Sequence, residues 1–267
     1  MVNMETEDEL REELRKVEQW EKEQKGLFFW DKIGRLPFVL LDRLTPSFIQ
    51  DKIGTALDEI GNYVQSGGKY LIHKERMYKN FFPDGDWKEG AALEEIGQLP
   101  LARMDQEADN IISSSSTTAA VQGATTGFGG IFTLAVDIPL LLGISIKALQ
   151  EVALSYGYDP TEKTERIFIV KCMQFSSSDI VGKKAILEEL AAYHTGERSG
   201  QMISQLQGWR EVMLTYRDNF GWKKLFQMIP IAGMLFGAFL NRSSLMDVTE
   251  TGKMMYRKRK ILERLQD

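Results

Sequence analysis

Cysteine and histidine are almost absent: the 267 residues hold one cysteine and two histidines. With Cys172 alone, no intramolecular disulfide can form, which fits a reducing compartment. Cys172 sits in the apolar string RIFIVKCMQF, the setting of a buried, inert thiol rather than a nucleophile. His73 and His194 have no Cys or Asp/Glu cluster at metal-ligand spacing, so no zinc site and no cofactor is expected. Sustained alternation of apolar and polar residues is missing and hairpin turns are scarce, so strands are not expected. Positive charge is in deficit, with 33 Lys and Arg against 38 Asp and Glu, a net charge of −5. That balance disfavours nucleic acid as a partner, although it allows a local basic patch. The opening MVNMETEDELREELRKVEQWEKEQ has no basic stretch followed by an apolar run, so no signal peptide is expected. The expected address is the cytoplasm, with the inner face of the membrane kept open.

What is present is helical patterning. Hydrophobic residues make up 43% and charged residues 27%, enough for a core and too polar for a polytopic membrane protein. Glu5 to Gln24 reads as a charged surface helix with Leu10, Leu14, Val17 and Glu21 in register. Residues 1–26 are taken as a charged N-terminal helix or extension, and 27–267 as one helical domain. The stretch 27–53 is dense in large apolar groups, broken by Pro37 and Pro46. It reads as core, or as an interfacial segment led by Phe29 and Trp30. Residues 51–72 form a second helix, with a break at Ser66-Gly67-Gly68. A helical pattern resumes over 91–112, where Asp105, Glu107 and Asp109 read as a solvated face. Further helices are expected over 161–195, with a break at 176–179, and over 201–217. The expected architecture is all-α, a multi-helix globular domain around a central, glycine-rich, hairpin-like apolar core.

Two apolar units stand out. The first is GATTGFGGIFTLAVDIP at 123–139, preceded by the small polar run Ser113 to Thr118. That run reads as tight helix packing or a loop. From Ile111 to Val136 there is no charge, and Asp137 then stands in an apolar run just before Pro139. Gly123, Gly127, Gly129 and Gly130 remove side chains where another backbone can come close. A carboxylate in such surroundings is costly unless paired. Asp137 can act as a cap between helix pieces, pair with Asn241, Lys147 or Arg242, or serve a ligand. The helix that follows ends near Gly157, with Asp159 and Pro160 opening the next. The second unit, 223–241, carries Pro230, Gly233, Gly237 and Asn241 and is uncharged from Leu225 to Asn241, at the short edge for crossing a bilayer. Beyond it lie four consecutive cations, Arg257, Lys258, Arg259 and Lys260. Such a cluster can bind anionic lipid or can be a solvated terminal helix.

GATTGFGG at 123–130, DIP at 137–139, the helix running to YGYD at 156–159 and IPIAGMLFGAFLN at 229–241 together resemble the EcsC family. LPFVLLDRLTPSFIQDKIGTALDEIGNYVQSGGKYLI at 36–72 is similar to the family's opening helices. The resemblance runs from about residue 30 to residue 255 and implies a helical, cytoplasmic or membrane-associated protein. It further implies a setting beside a bacterial ABC exporter linked with protein secretion, with exporter components as partners. It brings no catalytic residues.

The chemistry is therefore open. The glycine-rich string lacks GKS or GKT and lacks G-x-G-x-x-G spacing, so a phosphate loop is not expected. The leading expectation is a non-enzymatic accessory protein at the membrane periphery. Two alternatives stand beside it. One is a soluble helical protein that binds a lipid or other apolar small molecule. The other is a hydrolase using Asp137 with a serine or threonine of 113–126.

Overall fold

The computed structural model describes residues 4–24, 61–68, 72–85, 87–88, 91–127, 134–177, 183–184, 186–188, 190 and 230–266. Among these residues the regular structure is helical and no strand occurs. The named helices are α1 (Glu7–Gln24), α2 (Lys74–Phe81), α3 (Ala92–Gly97), α4 (Leu101–Gly127), α5 (Leu134–Ser155), α6 (Lys163–Ser177) and α7 (Pro230–Gln266). The expected all-α class is what is found. The expectations for 27–53 and 201–217, and for the part of the 51–72 helix at 51–60, lie outside the described residues.

Local chemistry sets the helix ends. Thr6 and Glu9 form a capping box at the start of α1: the Glu9 carboxylate accepts from Thr6 N–H at 2.7 Å, and Thr6 Oγ1 accepts from Glu9 N–H at 3.4 Å. The pattern over 91–112 is not one helix. It breaks at Gln98-Leu99-Pro100, because proline cannot donate within a helix, and α4 starts directly after it. The α5 terminus is a Schellman motif. Tyr158 N–H reaches Ala153 O at 3.0 Å and Gly157 N–H reaches Leu154 O at 3.0 Å. Gly157 has φ +81°, which a glycine adopts without strain. Asp159 then accepts from Thr161 N–H at 2.8 Å and opens the turn into α6.

The Ser113–Thr118 run is inside α4, not in a loop. Ser115 and Thr117 donate to the carbonyls of Ile111 and Ser113 four residues back, at 2.6 and 2.8 Å. Hydroxyls satisfied this way let a segment of modest helix propensity stay helical where packing demands it.

The central unit is a three-helix stack. Tyr156, just past α5, donates to Asp105, near the start of α4, at 2.6 Å, so α4 and α5 run antiparallel. Helix α7 runs antiparallel to α4 as well: Arg257 meets Asp105 at 2.9 Å and Lys253 meets Asp109 at 2.6 Å. At 37 residues α7 is about 55 Å long, at about 1.5 Å per residue. It therefore lies along the whole of α4. Helices α5 and α6 flank it, and α1 lies across its C-terminal half. The main core gathers Leu10 and Val17 of α1, Met104 and Ile111 of α4, Ile146 and Val152 of α5, Phe168 and Phe175 of α6, and Tyr256 and Ile261 of α7. A smaller cluster holds Ala119, Leu141 and Leu245.

Candidate functional site: a bundle polarised end to end

The antiparallel registers sort most of the charge of α4, α5 and α7 to one end of the stack. At that end lie the first turns of α4, the last turns of α5 and the C-terminal half of α7. At the other lie residues 112–127, 134–144 and 230–241, where Asp137 is the one ionisable residue in sequence. The two apolar units singled out in the sequence are thus brought together.

Within the uncharged end one level is polar. Stepping along α7 and α4 from the Lys253–Asp109 pair brings Asn241 level with Val121 and Gln122. Stepping along α5 from Leu141, which shares a cluster with Ala119, brings Asp137 level with Gly123. Asn241, Gln122 and Gly123 are buried. Asp137 is the fourth residue of an unbroken α5, so it does not cap a junction between two helix pieces. The partial positive charge of a helix N-terminus favours a carboxylate at that position. Pro230 opens α7 as its first residue, where a missing N–H costs nothing. Gly129 and Gly130 lie outside the described residues, as do the surroundings of Gly127, Asp137, Pro139, Pro230, Gly233 and Gly237. Around this level three large apolar side chains face solvent: Val121 at 62%, Leu140 at 46% and Met246 at 38% exposure. Arg242, one residue beyond Asn241, is exposed too. Sequence reading missed Val121, Leu140 and Gln122, because the helical repeat does not say which side of a small-residue helix stays open.

The other end carries a lattice of ion pairs. The run Arg257–Lys260 is distributed around α7, since successive residues turn by about 100°. Arg257 bonds Asp105 of α4 and Glu13 of α1. Lys258 meets Glu21 of α1 at 2.7 Å. Arg259 meets Glu165 of α6 at 2.7 Å and lies over the Tyr158 ring at 4.1 Å. Lys260 meets Glu263 at 3.1 Å. The run's charge is thus matched by carboxylates of the fold itself. Asp105 and Glu107 do not form a solvated face: Asp105 joins three elements, and Glu107 is buried and accepts from Asn80 at 2.5 Å. Asp109 keeps most of its exposure while pairing with Lys253.

Protonation follows burial. Burial raises the Glu165 carboxyl above the ordinary carboxylate value, and the opposing pull of Arg259 and Tyr256 does not cancel it. Burial pushes the Lys260 ammonium down, against Glu263. Burial alone would raise Asp159, but Lys74 at 2.5 Å and the Thr161 hydroxyl and N–H hold it below its usual range. Burial also pushes the Cys172 thiol up, so the fully buried sulfur is unreactive in the fold, as its sequence setting implies.

The described hydroxyls of this stretch are engaged within their own helix. Ser114, Ser115, Ser116, Thr117, Thr118 and Thr125 each donate to a helix carbonyl. Activation needs a base in hydrogen-bond reach instead. Among the described residues no group of His, Cys, Asp and Glu is placed to hold a metal ion.

Comparison with known proteins gives a consistent picture. The model of the EcsC protein family matches residues 11–261. The chain is 53% identical over 266 residues to the uncharacterized protein YdbA of Bacillus subtilis (strain 168), covering 98% of this chain and 97% of that protein. It is 32% identical over 165 residues to Protein EcsC of the same organism, covering 62% of this chain and 67% of that protein. No solved structure matches.

Proposed function

The chain belongs to the EcsC protein family, and from that premise we propose that it is a non-enzymatic accessory protein that attaches peripherally to a membrane by the uncharged end of its bundle. The observation that carries this is the exposure of Val121 and Leu140 in stretches of α4 and α5 whose one ionisable residue is Asp137, with Met246 exposed farther along α7. Apolar surface removed from water gains about 25 cal/mol per Å², so exposed side chains of this kind favour an apolar environment. Exposed Arg242 adds a cation at the same level, suited to a lipid phosphate. Among the described residues no helix is long and apolar enough to cross a membrane. The contact in this reading is interfacial, with the bundle end dipping among headgroups. The cations of Arg257–Lys260 are matched by carboxylates, so this reading assigns them to internal pairing rather than to lipid. Assistance to components of an ABC exporter, which the resemblance implies, belongs to the same reading.

Flotation with vesicles of phosphatidylcholine and phosphatidylglycerol tests it. The protein is expected to float at low salt and to stay bound at high salt. Val121→Asp with Leu140→Asp, both at exposed positions, is expected to leave it in the soluble fraction. Wild-type protein that stays soluble at low salt would end the proposal.

A further inference from the structure

We draw no further inference here: the strongest candidate, the buried polar level where Asn241 of α7 stands level with Gln122 of α4, belongs to the bundle end already described, and the surroundings of Asp137, the group that would give it chemistry, lie outside the described residues.

Discussion

Gly157 sits where two helix ends touch, and substituting it by alanine tests the packing most sharply. A Cβ at this position would stand 2.5 Å from Gly97 Cα, 2.8 Å from Gly97 N and 3.3 Å from Leu93 O. Those are backbone atoms of α3, which cannot rotate aside as a side-chain tip can. The residue also has φ +81°. A left-handed conformation costs a non-glycine residue about 1–2 kcal/mol, and forced overpacking adds about 1–3 kcal/mol. The sum is about 2–5 kcal/mol, or a fall in Tm of roughly 4–20 °C for a chain of this size. Two controls separate the terms. Gly68 has φ +49° with nothing within 4 Å of an added Cβ, so Gly68→Ala carries the conformational cost alone. Gly61 is helical with open space around it, so Gly61→Ala is expected to stabilise by about 0.5–1 kcal/mol. Thermal melts of the three variants should therefore rank in that order. If Gly157→Ala melted with Gly68→Ala, the close approach of Gly157 to Gly97 would be refuted.

Other perturbations probe the helix contacts and the ion pairs. A Cβ on Gly252 would lie 2.3 Å from Leu149 Cδ2, a movable side-chain end. Gly252→Ala should cost about 1–3 kcal/mol, and its effect should shrink in a Leu149→Ala background, as a double-mutant cycle of melts would show. Arg259→Met strands the buried Glu165 and should cost about 3–5 kcal/mol at pH 7. Because the folded-state pKa of Glu165 is raised, its contribution is fully present below the unfolded value and is lost as pH rises through the folded one. The deficit of Arg259→Met should accordingly be smaller at pH 5 than at pH 7, and a deficit that grows on acidification would contradict this. Asp159 has the opposite sign. Its lowered pKa gives stability that is present above about pH 4 and is lost as pH falls through the folded value. Asp159→Asn should thus lower Tm at pH 7, and its deficit should shrink as pH falls below about 4.

Several elements were legible before any coordinates. The periodicity of α1, the helix stop at Gly157 and the turn at Asp159 all follow from local chemistry. The continuity of α7 was not legible. Its sequence changes from apolar at 230–241 to highly charged at 250–266, and so reads as two units. One helix spans both because its uncharged half meets the uncharged halves of α4 and α5, and its charged half meets their charged turns. The basic run misled for a related reason. Four adjacent cations look like one patch in a line of text, but a helix points them at α1, α4, α6 and their own neighbours. The acids that match them, Glu13, Asp105 and Glu165, are far away in sequence. Gly252 and Gly97 went unremarked because a glycine's importance depends on which neighbour comes close. The Ser113–Thr118 helix was ambiguous because its stability comes from α5 and α7 rather than from its own propensity.

The lipid contact proposed for the bundle end that holds Val121 and Leu140 is open to a direct test. The direct measurement is environment-sensitive fluorescence from single labels at Val121→Cys, Leu140→Cys and Glu18→Cys, an exposed site at the charged end. The native Cys172 is fully buried and should stay unlabelled in the folded protein. On adding anionic vesicles, a blue shift and a gain in intensity are expected at 121 and 140, with no change at 18. A shift at 18 without one at 121 or 140, or no shift at any site, would contradict the proposed contact.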